Sequence, residues 1–174
     1  MSDDIVSTDW LARHLGSPDL AILDASWHLA SAGRNARKEF LEGHIPGAQF
    51  FDIDEISDTS SSLPHMLPSP EKFSSRMRKM GVGDGKRVIA YDAAGLFSAA
   101  RVWWMFRAMG HTDVSVLDGG LPKWLAEGRP VEDTLPMLRD QAAASGVHLE
   151  LKFSGSIDAL RALSEGRCTV AGFH

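Results

Sequence analysis

Short apolar runs alternate with segments of helical period along the first three quarters of the chain. Apolar runs of four or five residues are typical of buried strands. They predict strands at residues 20–24, 87–91 and 114–117. Apolar side chains at helical spacing, with capping residues before them, predict helices at residues 8–15, 71–80, 98–109 and 121–127. Two stretches show neither pattern, and we predict loops at residues 39–56 and 58–70.

The alternation of strands and helices predicts an α/β fold. A strand, a helix and a second strand form a parallel unit, and successive units can place helices on both sides of the sheet. We therefore expect a central parallel sheet flanked by helices on both faces. Residues 5–132 would form this domain.

A partial repeat follows the predicted domain. Residues 7–11 (Ser-Thr-Asp-Trp-Leu) resemble residues 156–160 (Ser-Ile-Asp-Ala-Leu), each with a capping serine and an acid in the first helical turn. Such short matches also arise by chance, because serine caps and early acids are common. If the repeat is real, residues 133–153 form a linker, and residues 154–174 form a fragment of a second domain of the same kind.

Charge and composition narrow the possible partners. The chain has 174 residues, with 18 basic and 23 acidic side chains, and its net charge of −5 argues against nucleic acid or an anionic membrane as a partner. The one cysteine excludes an internal disulfide, and no spacing of histidines suggests a metal site, so we expect neither metal nor cofactor. The acidic N terminus has no apolar run behind it, which predicts a cytoplasmic protein.

The turn after residues 87–91 is the expected place for chemistry, because ligands bind at the carboxyl ends of parallel strands. Asp92 opens this turn. A cysteine there would form a thiolate held by the loop amides and the next helix, but a carboxylate cannot attack sulfur. We therefore expect Asp92 to accept hydrogen bonds from the loop amides. The chain's thiol, Cys168, lies near the C terminus, where we expect a small apolar residue and not a nucleophile.

Two histidines lie in loops that contain proline. His65 lies between Pro64 and Pro68, and two acids, Asp52 and Asp54, precede it by eleven to thirteen residues. A carboxylate that orients an imidazole is part of many nucleophile-activating relays, although on spacing alone a solvent-exposed loop histidine is the more common outcome. His44, between glycine and Ile-Pro-Gly, is expected to have a structural role.

The segment Phe-x3-His-Ile-Pro-Gly-Ala-x2-Phe at residues 40–51 closely resembles the N-terminal signature of the rhodanese family. The similarity extends through residues 23–27, 65–68, 95–111 and 115–124. The chain resembles the first of the two tandem domains of the 3-mercaptopyruvate/thiosulfate sulfurtransferases. The resemblance implies a rhodanese-like fold and supports the interpretation of the partial repeat as a second domain.

The resemblance also implies roles for individual residues. In this family the cysteine that carries the persulfide belongs to the second domain, and the first domain has an aspartate at the position of Asp92. A histidine matching His65 and an aspartate matching Asp54 are proposed in mercaptopyruvate-type members to help activate a serine across the domain interface. Trp27 and Tyr91 match positions that line the cleft between the domains.

The resemblance implies a sulfurtransferase that passes sulfane sulfur from 3-mercaptopyruvate or thiosulfate to a thiol or cyanide. Because Asp92 stands where a thiolate is needed, we expect this chain to be inactive unless a second domain is supplied. The alternative is a stand-alone rhodanese-like module that binds a partner or a small anion around Trp27, His65 and Tyr91. We also expect self-association through an exposed apolar face that includes Trp27 and the Trp103/Trp104 helix.

Overall fold

The computed structural model describes residues 4–134 and 143–146 of the chain. The chain divides into two compact units, Met1–Leu135 and Pro136–His174. The fold of the first unit is described below. The predicted linker at residues 133–153 and the domain fragment at residues 154–174 fall largely outside the described residues, and both stay predictions.

The described residues form one sheet of five parallel strands. The strands are β1 (Ile5–Val6), β2 (Leu20–Asp24), β3 (Ala48–Phe50), β4 (Arg87–Tyr91) and β5 (Val114–Leu117). Their spatial order is β1-β5-β4-β2-β3, and every neighbouring pair is parallel. The three strands expected from apolar runs are confirmed at the expected bounds.

In the described part of the first unit, five α-helices lie between the strands and a sixth follows β5. They are α1 (Thr8–His14), α2 (Ala36–Glu42), α3 (Ile53–Ile56), α4 (Pro70–Lys79), α5 (Ser98–Ala108) and α6 (Gly120–Ala126), and a 3-10 turn covers Ala30–Ala32. The four predicted helices are confirmed to within one residue at each end. The predicted loop at residues 39–56 is wrong, because this stretch contains most of α2, all of β3 and all of α3.

Successive residues of the central strands face two separate cores. Val88 and Ala90 of β4 pack in a cluster with α3, α4 and α5, whereas Ile89 and Tyr91 pack in a second cluster with α1 and α6. Side chains alternate between the faces of a strand, so each face of the sheet has its own layer of helices. The prediction of helices on both faces is confirmed.

The register of the sheet brings together the two loops that follow β2 and β4. Asp24, the last residue of β2, is paired with Tyr91, the last residue of β4. The segments that begin at Ala25 and Asp92 therefore leave the same edge of the sheet side by side, where ligands of parallel α/β folds bind.

The end of the first unit is tied back to an earlier loop. His44 and Glu132 exchange two backbone hydrogen bonds, of 3.0 and 2.8 Å, in an isolated antiparallel bridge. The carboxylate of Glu132 also accepts a hydrogen bond of 2.9 Å from the amide of Gly47. These contacts fix residue 132 beside the entry to β3.

Candidate functional site

The turn after β4 is organised around the carboxylate of Asp92. Its Oδ1 accepts hydrogen bonds from the amides of Ala94 and Gly95 at 2.9 and 2.8 Å. Its Oδ2 accepts from the amides of Phe97 and Ala99 at 2.7 and 2.8 Å. Asp92 is almost completely buried. The expectation that its carboxylate accepts hydrogen bonds from the loop amides is confirmed, and we call these four amides the amide ring.

Two amides of the ring, those of Phe97 and Ala99, lie at the N-terminus of α5. Phe97, the residue before this helix, has no side-chain oxygen that could cap it, so Asp92 satisfies helix amides that would otherwise lack an acceptor. The negative carboxylate also lies at the positive end of the helix dipole. The carboxylate of Asp92 thus occupies the point where the loop amides and the N-terminus of α5 converge.

Neighbouring elements hold the Asp92 loop closely. The hydroxyl of Ser26 accepts a hydrogen bond of 2.9 Å from the amide of Ala93, and the amide of Leu121 donates to the carbonyl of Asp92 at 3.0 Å. At Gly120, where φ is +52°, a Cβ atom would lie 2.5 Å from that same carbonyl oxygen. The backbone of α6 therefore packs against the loop at a distance that only glycine permits.

Beneath the loop lies a buried polar pair, Asp24 and Tyr91. Burial raises the pKa of the Asp24 carboxyl, and hydrogen bonds from Ser26 partly offset this. Burial and the adjacent charge of Asp24 raise the pKa of the Tyr91 hydroxyl well above its ordinary value. That hydroxyl also accepts a hydrogen bond of 3.3 Å from the amide of Ile45.

The expectation that Tyr91 lines a cleft is wrong for the described domain. Tyr91 is fully buried in the core on the side of α1 and α6. Because it is the last residue of β4, its side chain follows the alternation of the strand into that core instead of turning out with the loop. Its role is to link β4 to the segment before β3 through Ile45.

His65 and Asp54 are adjacent, as the resemblance implies. Nδ1 of His65 lies 3.2 Å from Oδ1 of Asp54, but the two atoms are not aligned for a hydrogen bond. The side chain of Asp54 is 66% exposed and that of His65 is 30% exposed, so the carboxylate is free to reorient. The second acid, Asp52, instead caps α3 and pairs with Arg37.

A pocket of about 430 Å³ opens beside His65. Its lining residues are Trp27, Ile53, Pro64, His65, Met66, Phe97, Ser98 and Arg101. The imidazole of His65 meets the ring of Trp27 edge to face, with centroids 4.9 Å apart, and Phe97 stacks at 6.5 Å on the indole. The structure thus places Trp27 and His65 in one pocket, together with the first residue of α5.

Two pocket residues carry polar atoms that sequence reasoning did not assign. The hydroxyl of Ser98 and Nε of Arg101 are buried without a hydrogen-bond partner. The guanidinium of Arg101 also donates a hydrogen bond of 2.6 Å to the carbonyl of His65. No sequence pattern identifies a bond to a backbone carbonyl 36 residues away.

The remaining candidates are structural or lie elsewhere. His44 is buried, with Nδ1 2.7 Å from the carbonyl of Phe40, which is the structural role expected for it. Cys168 lies outside the described residues. In the part of the chain that the structure describes, no group of three or more His, Cys, Asp or Glu side chains could hold a metal ion. No helix among these residues has the length and apolar content needed to span a membrane.

The arrangement combines an occupied anion ring with a pocket that contains an ionisable imidazole. The ring resembles the anion-holding loops found at helix N-termini, but it is filled by the chain's own carboxylate. The imidazole of His65 has nitrogens that can donate or accept a proton, so it can exchange a proton with a bound molecule. This pocket can bind a small molecule and exchange a proton with it, whereas both oxygens of Asp92 are held by hydrogen bonds from the amide ring.

Comparisons with known proteins agree with this geometry. A model of the rhodanese-like domain family matches residues 7–127. The chain is 47% identical over 166 residues to thiosulfate/3-mercaptopyruvate sulfurtransferase 1, mitochondrial, of Arabidopsis thaliana, covering 95% of this chain and 41% of that protein. It is 53% identical over 133 residues to 3-mercaptopyruvate sulfurtransferase of Homo sapiens, covering 73% of this chain and 45% of that protein. The chain thus spans less than half the length of these relatives.

Solved structures show the same fold. The crystal structure of SseA from Escherichia coli, described as a 3-mercaptopyruvate sulfotransferase with the rhodanese fold, superposes with a TM-score of 0.71 at 39% identity. The match covers 95% of this chain and 63% of that one. One relative is named as mitochondrial, and the cytoplasmic location expected from the N terminus stays a prediction. The parallel sheet, the loop after β4 and the matched residues 7–127 together show that this chain belongs to the rhodanese-like domain family.

Proposed function

We propose that this domain is the non-nucleophilic half of a sulfurtransferase of the 3-mercaptopyruvate/thiosulfate type. The observation that carries the proposal is the amide ring around Asp92: four amides that would hold a reactive anion instead hold a carboxylate. A second rhodanese-type domain would supply the thiolate. The relatives named above are more than twice as long as their matched segments. This length supports the assignment of the thiolate to a second domain.

The reaction requires an attacking thiolate and a proton donor. The thiolate attacks the sulfur of 3-mercaptopyruvate, the bond between carbon and sulfur breaks, and its electron pair passes to carbon as the enolate of pyruvate. The sulfur remains on the cysteine as a persulfide, and protonation of the enolate gives pyruvate. An acceptor thiol or cyanide then removes the outer sulfur.

His65 is the group in the described domain that suits the proton-transfer role. Its imidazole borders the pocket, and Oδ1 of Asp54 lies 3.2 Å from Nδ1 of the ring. The match of both residues to the mercaptopyruvate-type pattern favours 3-mercaptopyruvate over thiosulfate as the donor. Thiosulfate needs no proton at carbon, so its use would depend less on His65.

An assay of the purified chain tests the first part of this proposal. We expect no production of pyruvate or sulfide from 3-mercaptopyruvate and a thiol acceptor above the rate without protein. Cys168→Ser is the matched variant, because it removes the chain's thiol. Turnover by the chain that persists in Cys168→Ser would contradict the proposal, since no thiol would then be involved.

A fusion with the cysteine-bearing portion of the Escherichia coli relative tests the second part. The fused protein should convert 3-mercaptopyruvate, and His65→Gln should lower its kcat by about 10²–10⁴-fold, the usual contribution of a general acid or base. His14→Gln is the control, because His14 stacks on Trp10 in α1 and does not line the pocket beside His65. A His65→Gln variant with unchanged kcat would contradict the role of His65.

A stand-alone binding module is the second candidate, and the pocket favours it. An aromatic pocket of about 430 Å³ has the size of a small-molecule site and is present without any second domain. Titration calorimetry of the chain with 3-mercaptopyruvate, or with pyruvate as a non-reacting analogue, distinguishes the two. Tight binding by the chain alone, with no gain on fusion, would favour the module.

We further propose that the chain self-associates. Three large apolar side chains around the start of α5 are strongly exposed: Leu96 by 61%, Phe97 by 55% and Trp104 by 43%. Trp27 and Trp103, which we also expected on this face, are only half-buried. Exposed apolar clusters favour association, so sedimentation velocity should show dimers or larger species that Trp104→Lys reduces. A monomer at high concentration would contradict this proposal.

A further inference from the structure

The geometry points to Arg101 as a positioning residue that fixes the backbone of His65 and thereby places its imidazole in the pocket. This inference rests on the proposed role of His65 in the sulfur-transfer reaction. Arg101 does not act on a substrate in this proposal. It acts through the segment that carries the histidine.

The first observation is the backbone of His65. Its φ angle is +55°, and it is the one residue other than glycine with a positive φ among the residues that the structure describes. This conformation is unfavourable for a residue with a Cβ atom and persists only where the surroundings impose it. Pro64 precedes it, and no helix or strand forms between residues 57 and 69. Contacts from other elements must therefore hold the segment in this shape.

The second observation is the contact that α5 makes with this segment. A terminal nitrogen of the Arg101 guanidinium donates a hydrogen bond of 2.6 Å to the carbonyl oxygen of His65. A charged donor makes this bond stronger than one between neutral groups. The next carbonyl, that of Met66, accepts a hydrogen bond of 2.9 Å from the amide of Asp58. The two bonds hold the carbonyl groups of two consecutive residues of the segment.

The third observation is that Arg101 itself is firmly placed. Its guanidinium carbon lies 4.5 Å from the ring centroid of Trp104, in a cation–π contact. Its neighbour in α5, Val102, is fully buried in the core. Nε of Arg101 is buried without a hydrogen-bond partner, so the described hydrogen bonding of this side chain goes to His65. One donor of Arg101 thus stays without a partner while another donates to the carbonyl of His65.

The fourth observation is that the imidazole has no other strong anchor. Asp54 is mostly exposed and is not aligned for a hydrogen bond with Nδ1. The remaining ring contact is the edge-to-face packing on Trp27, which tolerates sliding. The position of the imidazole therefore follows from the position of its backbone, and Arg101 holds that backbone.

Nuclear magnetic resonance of the full chain tests the inference with Arg101→Met, which keeps the length of the side chain and removes the donors. In the wild type, the ring current of Trp27 should shift the carbon-bound ring protons of His65. In Arg101→Met these signals should move toward the positions of a free histidine, and the amide of Asp58 should exchange with solvent about tenfold faster or more, as expected for a weakened hydrogen bond. Arg101→Lys, which retains a charged donor, should restore part of both effects.

Arg107→Met is the matched control. Arg107 belongs to the same helix and makes the same kind of contact, 5.0 Å over the ring of Trp103, but it pairs with Asp4. We expect the His65 signals and the exchange of Asp58 to stay as in the wild type in Arg107→Met. Unfolding midpoints of both variants show whether either change is global.

The outcomes separate this inference from the proposed function. Unchanged His65 signals in a folded Arg101→Met protein would overturn the inference, whatever the activity of the fusion. Shifted signals together with an inactive wild-type fusion would support the positioning role and contradict the proposed function. If Arg101→Met does not fold, partial displacement of the same signals in Arg101→Lys decides the question, and no displacement there overturns the inference.

Discussion

Replacing Asp92 by asparagine removes the charge at the centre of the amide ring and exchanges one of its two acceptor oxygens for an NH2 group. The two side chains have the same shape, but asparagine has one oxygen where aspartate has two. In the wild type each oxygen accepts two amides: Oδ1 those of Ala94 and Gly95, and Oδ2 those of Phe97 and Ala99. Whichever way the new amide is oriented, its NH2 group faces two backbone N–H donors.

The expected loss follows from these contacts. A hydrogen bond to a charged group contributes about 1.5–3 kcal/mol, so two lost bonds lower the free energy of unfolding by roughly 3–6 kcal/mol. The two remaining bonds also weaken, because their acceptor is no longer charged. Since small domains are stable by only about 5–15 kcal/mol, Asp92→Asn should be severely destabilised or unfolded.

Urea denaturation of the full chain, followed by tryptophan fluorescence, measures this difference. Asp84→Asn is the control, because Asp84 is exposed in the turn before β4 and the same chemical change there should cost less than about 0.5 kcal/mol. A folded Asp92→Asn protein within about 1 kcal/mol of the control would refute the reasoning. The amide ring would then contribute little to stability.

Three further changes test other parts of the fold. Gly120→Ala should lower the free energy of unfolding by more than about 2 kcal/mol, since its Cβ would lie 2.5 Å from the carbonyl oxygen of Asp92; a wild-type urea midpoint would contradict this. Burial raises the pKa of Asp24 above its ordinary 3.8, so between pH 3.8 and the raised pKa the folded protein keeps a proton that the unfolded chain has lost. The stability that this group contributes is full below pH 3.8 and is lost as pH rises through the raised pKa; across this range the stability of the wild type should therefore fall relative to that of Asp24→Asn, and a constant difference between the two would argue against the shift. Trp124→Phe should cost about 1–3 kcal/mol in thermal unfolding, because it empties part of a fully buried site and removes the hydrogen bond of 2.8 Å to the carbonyl of Pro130; an unchanged Tm would contradict the contribution of this bond.

The central strands were predictable from the sequence because both faces of the sheet are covered. β2, β4 and β5 are buried on both sides and appear as continuous apolar runs. Residues 39–56 lack such a signal. No residue of α2 is fully buried, so it lacks a clear apolar face. β3 has three residues and α3 has four, so each of these is too short to show a period. Their positions depend on packing against distant parts of the chain.

The site was predictable only in part, for different physical reasons. The role of Asp92 follows from its place after a strand and before a helix. The contact between His65 and Asp54 came from the family resemblance, because the loop between them has no regular geometry. Tyr91 was placed in the cleft by the family resemblance, but as the last residue of β4 its side chain points into the core on the side of α1 and α6. The bond from Arg101 to a backbone carbonyl has no counterpart in any sequence pattern.

The bridge between His44 and Glu132 determines how mechanical load enters this domain. A pull on the chain beyond residue 134 reaches the paired backbones at residues 44 and 132 before it reaches α6. Because the bridge lies beside the entry to β3, an edge strand of the sheet, strain is delivered to the periphery and away from Asp92. Force applied at this end therefore loads the edge of the sheet first, and β2 lies between that edge and β4, the strand that leads into the amide ring.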